Sequence, residues 1–594
     1  MSDQTVLDGP DAEGGRDGEG DGIPAGKRLV RTGGGAGLSL GERLAGYLYR
    51  LSWRTPLHAF RLKGRHPLKL LAAPPDPIAG SQCLGQALLD ERFIYEGESV
   101  AMGPKGPELK GASPSLIAHY HSFVWLRDVT ATASTGSEPI ADLMRGWVAA
   151  WLLLHGDTVD EPAWSAGIAA RRLMHWPAHA PLLLGAHDLV FRSSVLNALA
   201  RTARHVDRTA DRTPPGLERI AAWCGIVTAG LLIAGGEGRR AFGEAGLVKA
   251  LATGLSSDGG LLSRSPREQL ELVGLLSHLT AAYDARSLSV PVPIVQDLAR
   301  AVSPLLGVVM GDGALGSWQG SLPIPADQIG AVIQASAVRT RPLRQAREWG
   351  YQRMVGGQTV LLFDAAPPPH SRTTRTGCAS TLALEVSDGA QRLIVNCGGA
   401  SAAGLASVPG LAEGLRTTAA HSTLTLADTN STAVLSTGTT GLGGLGKGVD
   451  AVDLDRRENE QGSRVEASHD GYARRFGFIH GRTLALSVDG REVRGDDTLI
   501  PVPNRRKAAE ASFAVRFHLA LGVDASPTAD GLGALLRIDG GALWQFRSRG
   551  GALTIEPSLW VDGAGGWHQT KQLVISGDAA AGGAAIGWVF KRAG

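Results

Sequence analysis

The first half of the chain repeats apolar residues at the period of an α-helix. From about residue 40 to residue 306, apolar side chains recur every three or four positions, which places them on one face of a helix. Trp147 and Trp151 share such a face. Loops containing Pro, Gly or Asp separate the periodic segments. The pattern predicts helices over residues 141–156, 161–176, 188–205, 216–234, 240–255, 267–285 and 292–308.

These helices have no repeat of fixed length. Amphipathic helices joined by short loops pack side by side as hairpins. Because a regular solenoid requires a fixed-period motif, we expect a closed helical toroid instead. We assign this toroid to residues 39–310.

After about residue 311 the pattern changes to short runs with strand character. QTVLLFDA, QRLIVNCGG and ALTIEPSLW are examples, and Gly, Asp and Asn residues separate such runs. Many short antiparallel strands at this spacing indicate a large β-sandwich, here over residues 311–594. The predicted fold class is therefore α+β multidomain: an N-terminal α/α toroid, or incomplete helical barrel, followed by a C-terminal antiparallel β-sandwich.

The first 38 residues are acidic and rich in glycine, and we expect a disordered tail there. The tail lacks the basic start and apolar run of a secretory signal, which favours a cytoplasmic location. No stretch approaches the roughly 18 apolar residues of a membrane span, so no transmembrane segment is expected.

Charge and cysteine content exclude two further classes. The 59 basic and 57 acidic residues give a net charge of +2, whereas a general nucleic-acid binder carries a strong basic excess. We therefore expect no nucleic-acid partner. The four cysteines form no CxxC pair, which excludes a zinc-finger or disulfide framework.

Two neighbouring segments concentrate ionisable groups. In RTTAAHSTLTLADTNST (416–432), alternation places His421, Thr423 and Thr425 on the polar face of a half-buried strand, opposite Leu424 and Leu426. HDGYARRFGFIHGRT (469–483) follows and adds histidine, tyrosine and arginine. These residue types bind and deprotonate acidic sugars, and they are also common on ordinary solvated sheet faces.

Several segments occur in an order that resembles the heparinase II/III-like family, most closely its α-proteobacterial members. The segments are FVWLRD, SDGGLLSRSP, FDAAPPP and AAHSTLTLADTNST. The resemblance implies an α/α toroid with a β-sandwich, cleavage of uronate-containing polysaccharides by β-elimination, and an acidic polysaccharide or oligosaccharide as partner. It also implies a periplasmic or cell-envelope location for many members.

β-Elimination requires a cation or donor for the uronate carboxylate, a base for the α proton and an acid for the leaving oxygen. The family takes an Asn-His pair and a Tyr from the toroid. In this chain those positions fall near Ser193 and Ser194, and near Arg267 or Glu268. The resemblance therefore leaves the following candidates: His421, Tyr472 and His480 as catalytic residues, and Arg416, Arg482, Arg264 and Glu268 as substrate-binding residues.

The resemblance also implies a metal site at the sandwich edge, made by two histidines and one aspartate. The matching positions carry Cys378, Asn396 and His421. Thiolate and imidazole both suit zinc, which is the one cofactor we consider. The alternative is a buried, hydrogen-bonded polar cluster without metal.

The sequence and the resemblance together therefore predict one of two functions. The first is a polysaccharide lyase-like protein that cleaves an acidic, uronate-containing glycan. The second is a catalytically silent glycan-binding or envelope-associated protein of the same fold, which the missing Asn-His pair and Tyr favour.

Overall fold

The computed structural model describes residues 26–31, 40–67, 69–132, 138–185, 188–436, 442–503 and 510–593. Within these ranges the α-helices are α1 Leu40–Ser52, α2 Pro56–Leu62, α3 Gln82–Leu89, α4 Pro114–Ser122, α5 Leu126–Thr132, α6 Glu138–His155, α7 Ala166–Ala178, α8 Ala180–Leu183, α9 Leu189–Thr209, α10 Leu217–Leu232, α11 Glu237–Gly254, α12 Pro266–Asp284, α13 Val292–Gly307, α14 Ala326–Ser336, α15 Leu411–Gly414 and α16 Ala473–Phe476.

The β-strands are β1 Gly26–Arg31, β2 Arg92–Tyr95, β3 Glu98–Gly103, β4 Gly106–Pro107, β5 Tyr351–Gly356, β6 Thr359–Asp364, β7 Leu384–Asp388, β8 Gln391–Val395, β9 Leu424–Leu426, β10 Val434–Ser436, β11 Leu442–Leu445, β12 Ala451–Asn459, β13 Gly462–His469, β14 Phe478–Ser487, β15 Glu492–Pro501, β16 Ala511–Leu519, β17 Val523–Pro527, β18 Gly533–Ile538, β19 Leu543–Arg549, β20 Ala552–Val561, β21 Trp567–Ala579 and β22 Ala584–Arg592.

All seven predicted helices are confirmed as α6, α7 and α9–α13, although α7 begins five residues later than predicted. Helix α10 is buried on almost every side because it packs against α7, α9, α11 and α12. Its apolar sequence suits that central position. Helix α14 lies beyond residue 310, the predicted end of the helical region. It nevertheless belongs to the toroid in packing, since it contacts α12.

Two antiparallel sheets form the sandwich. One sheet runs β1-β12-β13-β14-β15-β22-β19-β18-β17, and the other runs β20-β21-β16-β8-β7-β6-β5, with β9 paired to β16. Apolar side chains from both sheets form one buried cluster that includes Leu361, Val465 and Phe517. The expected antiparallel sandwich is confirmed.

The predicted disordered tail is wrong for part of its length. Gly26–Arg31 forms strand β1, which pairs antiparallel with β12 and lies at the edge of the nine-stranded sheet. Val30 packs against the sandwich core. Backbone pairing along an exposed sheet edge orders this segment despite its polar composition. The rest of the predicted tail, residues 1–25 and 32–38, lies outside the described residues.

The strand predicted at 416–432 exists only as β9, and its polar face is not solvated. His421, Thr423 and Thr425 are 1%, 0% and 2% exposed, as deeply buried as Leu424 and Leu426. The expectation of a half-buried strand is therefore wrong. Strand β9 pairs with β16 inside the sheet, and Thr423 Oγ1 donates to the carbonyl of Thr381, so its polar side is covered by protein.

The toroid and the sandwich share one hydrophobic core. Trp349, Tyr351, Leu362 and Ala403 of the C-terminal half belong to the same buried cluster as the toroid helices. This continuity fixes the position of the sandwich relative to the toroid. Among the described residues, no helix is both long and apolar enough to cross a bilayer.

Candidate functional site

A cavity of about 460 Å³ opens in the toroid beside the sandwich. Its ionisable wall comes from the end of strand β2, the turn after it, and helices α4, α5, α7, α10 and α12. The ionisable residues of this wall are Tyr95, Glu96, His119, Arg127, Arg171, His175, Glu218, Arg267, Glu271 and His278. A concave site with converging charged groups is the usual location of a ligand site. Three polar networks share this wall.

The first network is centred on Arg171 of α7. Its Nη2 lies 2.8 Å from Glu218 Oε1 of α10 and 2.6 Å from Glu271 Oε1 of α12. Burial of this guanidinium is offset by the two carboxylates, which hold its pKa above the ordinary value. The positive charge of Arg171 is therefore balanced by the carboxylates of Glu218 and Glu271.

The second network joins Arg267 of α12 to β2. Arg267 Nη2 lies 2.8 Å from Glu96 Oε1 and also contacts the Tyr95 hydroxyl, while Nη1 donates to Ser401 Oγ at 3.2 Å. The Tyr95 ring stacks on His119, with the ring centroids 4.0 Å apart. Burial raises the pKa of Tyr95 and lowers that of His119 to about 3.

The third network converges on the carboxylate of Asp76, in the loop before α3. His278 Nε2 lies 3.1 Å from Asp76 Oδ1, and His175 Nδ1 and His179 Nε2 each lie 3.6 Å from Asp76 Oδ2. Arg127 Nε donates to Asp76 Oδ2 at 3.1 Å. Burial would raise the pKa of Asp76, but the three histidines hold it far below its usual range. Asp76, His175 and His278 form a group able to hold a metal ion.

Glu268, a predicted site residue, lies on α12 between the cavity-lining residues Arg267 and Glu271. Burial, together with Glu271 and Glu218, raises the pKa of this carboxyl to about 7, although Ser263 opposes the shift. A carboxyl that titrates near neutral pH is the type of group that transfers protons in catalysis. Its neighbours along α12, Arg267 and Glu271, line the cavity.

The three predicted catalytic residues lie inside the sandwich. His421, Tyr472 and His480 are 1%, 1% and 0% exposed. His421 Nδ1 donates to the Thr417 carbonyl at 2.7 Å, and the Tyr472 hydroxyl donates to the Leu424 carbonyl at 2.9 Å. His480 Nε2 donates to Asp497 Oδ1 at 2.8 Å. None of the three lines the toroid cavity, because these hydrogen bonds and the sheet packing hold them in the core.

The predicted substrate-binding arginines are also buried. Arg482 pairs with Asp497, and Arg264 pairs with Asp364; both arginines are at most 5% exposed. Arg416 is 0% exposed and donates from Nε to the Gly377 carbonyl at 2.8 Å. Burial encloses all three side chains within the protein, although Arg416 Nη1 and Nη2 have no hydrogen-bond partner among the described residues.

The predicted metal set consists of residues with separate partners. Cys378 Sγ contacts the Thr376 carbonyl, and burial raises the pKa of its thiol to about 12. Asn396 uses both ends of its amide, donating to Glu385 and accepting from the Ser422 N–H. His421 donates to Thr417. All three side chains are buried, and each contacts a polar group of the protein.

Sequence reasoning missed the Asp76 network. His175 and His179 are four residues apart, a spacing that places two imidazoles on one helix face and that could have been noticed. Asp76 and His278 lie about a hundred residues to either side, and only the packing of the toroid helices brings them together. The Ser193–Ser194 segment lies at the exposed start of α9, where Ser194 Oγ donates to the Val190 carbonyl.

Comparison with known proteins agrees with this architecture. Residues 338–589 match the family described as heparinase II/III-like, C-terminal. The chain is 29% identical over 536 residues to "FtsZ-localized protein C" of Caulobacter vibrioides (strain NA1000 / CB15N), covering 87% of this chain and 89% of that protein.

Solved structures resemble both halves of the chain. A crystal structure of heparinase III has a TM-score of 0.67 at 14% identity, covering 93% of this chain and 91% of the other. The heparan sulfate lyase HepC from Pedobacter heparinus has a TM-score of 0.56 at 14% identity, covering 93% and 90%. The chain therefore contains a heparinase II/III-like C-terminal domain, and its helical toroid and β-sandwich together have the fold of heparinase III.

Proposed function

We propose that this protein is a catalytically silent heparinase-fold protein that localises with FtsZ. The similarity to FtsZ-localized protein C supports the proposal, because it extends over 87% of the chain and so includes both the toroid and the sandwich. The likeness to the lyases concerns fold alone, and fold does not determine activity.

The proposed lack of catalysis rests on one observation: the arginines of the cavity are paired with carboxylates of the protein. Arg171 is paired with Glu218 and Glu271, Arg267 with Glu96, and Arg127 with Asp76. A uronate carboxylate would have to displace one of these protein carboxylates to reach a guanidinium. The cavity therefore lacks the uncommitted cation that β-elimination needs at the substrate carboxylate.

The phenol and the imidazole of the cavity also support the absence of catalysis. Tyr95 and His119 are its phenol and its nearest imidazole, and Tyr95 already contacts Arg267 at the position where the family places a tyrosine. Burial raises the pKa of Tyr95, which makes it a poor acid, and lowers the pKa of His119 to about 3, which makes it a weak base.

Localisation with FtsZ is tested with a fluorescent fusion of the full chain, imaged beside labelled FtsZ in bacterial cells. We expect the two signals to coincide and the fusion to disperse when FtsZ is depleted. A free fluorescent protein is the control. A fusion distributed independently of FtsZ in both conditions would contradict this half of the proposal.

The silent character is tested by incubating the protein with a panel of uronate glycans and following the absorbance of the unsaturated product. We expect no signal above that of heat-denatured protein. Because the glycan-binding form of this hypothesis predicts affinity without turnover, retention of the folded protein on the same immobilised glycans is measured in parallel.

A lyase acting on an acidic, uronate-containing glycan is the second candidate, and Glu268 favours it. A carboxyl with a pKa of about 7 beside the cavity could remove the α proton at neutral pH. If product does form, the Glu268→Gln variant, which keeps the shape of the side chain, should lose it. Unchanged turnover in this variant would exclude Glu268 as the base.

A further inference from the structure

Three imidazoles surround one carboxylate at the wall of the toroid cavity, and their positions come from different parts of the chain. His175 lies in the last turn of α7 and His179 directly follows that helix. His278 lies in α12, and Asp76 precedes α3. The three histidines are 3%, 5% and 7% exposed.

Protein hydrogen bonds satisfy this group only in part: Asp76 accepts from the Ile78 N–H at 3.0 Å and from Arg127 Nε at 3.1 Å. Among the described residues, His175 Nδ1 and His179 Nε2 have no hydrogen-bond partner, and at 3.6 Å from Asp76 Oδ2 both are too far away to donate to it. Buried polar atoms normally have partners, so two orphaned ring nitrogens aimed at one carboxylate require an explanation.

His278 Nε2 lies between two groups with opposite hydrogen-bonding requirements. Its Nε2 lies 2.7 Å from Arg127 Nη2, which can only donate, and 3.1 Å from Asp76 Oδ1, which can only accept when ionised. A protonated Nε2 would face the arginine donor, and an unprotonated Nε2 would face the carboxylate lone pairs. Either tautomer leaves one repulsive contact. A cation bound by the Nε2 lone pair and Asp76 Oδ1 removes the repulsion between those two atoms, and Arg127 Nη2 must then turn away from Nε2.

The separations within the group are those of ligands around a common ion. Zinc binds imidazole nitrogen and carboxylate oxygen at about 2.0–2.2 Å, so two ligands of a tetrahedral ion lie about 3.3–3.5 Å apart. The distances from Asp76 oxygens to the three ring nitrogens, 3.1, 3.6 and 3.6 Å, lie around this value. The ligand atoms of Asp76, His175 and His278 all lie within 4.8 Å of one another.

We infer that Asp76, His175 and His278 bind one divalent transition-metal ion of the zinc class. Two imidazoles and a carboxylate form a nitrogen and oxygen donor set that suits such ions. Arg127 keeps its bond from Nε to Asp76 and orients the carboxylate, the role that outer groups commonly have around metal ligands. Because His175 and His278 line the cavity, the ion lies at its wall. This site is distinct from the sandwich position of Cys378, Asn396 and His421.

The full-length protein, stripped with a chelator, is titrated with Zn²⁺ by calorimetry and with Co²⁺ by visible absorption. We expect one equivalent of Zn²⁺ to bind, and the Co²⁺ complex to show the intense bands of a tetrahedral site. His175→Gln and His278→Gln should each weaken Zn²⁺ binding by more than about tenfold. His119→Gln is the matched control, because it changes another cavity histidine outside the group and should leave Zn²⁺ affinity unchanged.

Folding of the variants is checked by comparing thermal midpoints of the metal-free proteins. If a histidine variant does not fold, Asp76→Asn, which keeps the shape of the carboxylate, replaces it. X-ray absorption of the wild-type Zn²⁺ complex then counts the imidazole ligands directly. Failure of the wild type to bind Zn²⁺ or Co²⁺, or binding that is unchanged in His278→Gln and Asp76→Asn, would overturn the inference.

Discussion

Arg264 and Asp364 form a buried ion pair that joins the toroid to the sandwich. Arg264 Nη2 lies 2.5 Å from Asp364 Oδ1, and the side chains are 6% and 0% exposed. Arg264 also donates to the carbonyls of Trp349 and Pro367. Asp364 Oδ2 accepts from Ser380 Oγ, so both charges are fully committed to the junction.

Asp364→Asn should destabilise the protein by about 3–5 kcal/mol, because it leaves the Arg264 guanidinium buried without a counter-charge. Urea unfolding followed by tryptophan fluorescence measures the effect. Glu466→Gln is the control: it breaks the Arg464–Glu466 pair, whose side chains are 58% and 50% exposed, and should cost less than about 1 kcal/mol. Equal losses in the two variants would refute the interpretation of the junction.

His421, the buried histidine that precedes β9, makes stability depend on pH. Burial lowers the pKa of His421 from 6.5 to about 4, although its bond to Thr417 opposes the shift. Between these values the unfolded chain binds a proton that the folded chain does not, so the free energy of unfolding falls as pH falls through this window. Below about pH 4 both states are protonated, and the loss from this group ends.

His421→Gln should therefore flatten the pH dependence between about pH 6.5 and 4, removing about 2–4 kcal/mol of it. Urea unfolding at a series of pH values gives the slope. Ser422→Ala, which removes a neighbouring buried hydroxyl that does not titrate, should lower stability equally at every pH. A His421→Gln slope identical to that of the wild type would show that His421 does not contribute.

Close packing of α3 on α5 requires a glycine at position 85. A Cβ there would lie 2.0 Å from the carbonyl oxygen of Asp128 and 2.6 Å from Thr132 Cγ2. We expect Gly85→Ala to destabilise the protein by about 1–3 kcal/mol, because the neighbouring backbone must shift. Gly146 lies within α6 with no atom within 4 Å of an added Cβ, so Gly146→Ala should instead stabilise by about 0.4–1 kcal/mol. Thermal unfolding of the two variants should show midpoints displaced in opposite directions.

Strand β1 covers the backbone edge of β12. Removal of residues 1–31 would expose the hydrogen-bonding groups of β12 that now pair with Gly26–Arg31. Exposed strand edges pair with other chains, so we expect this truncation to aggregate in a concentration-dependent way, as measured by light scattering. Removal of residues 1–25 alone keeps β1 and should leave the protein as disperse as the full chain.

The helices could be predicted because each carries its own signal. The apolar stripes of α9, α10 and α12 are readable from local spacing, whatever they pack against. Strands β12, β13 and β15 were not among the predicted runs, because charged residues occupy their outward positions. In β12, Asp453 is exposed between Val452 and Leu454, which face the core, and such mixed segments resemble loops in composition.

The sequence by itself determined the order of helices and strands, the family resemblance and the absence of the lyase's usual Asn-His pair and Tyr, because these are properties of local spacing and residue identity. Only the tertiary structure decided which ionisable groups are buried and which meet. It enclosed His421, Tyr472 and His480 within the sandwich and brought Asp76, His175 and His278 together at the cavity. Burial and contact between distant residues depend on how the sheets and helices pack, and local sequence patterns do not contain that information.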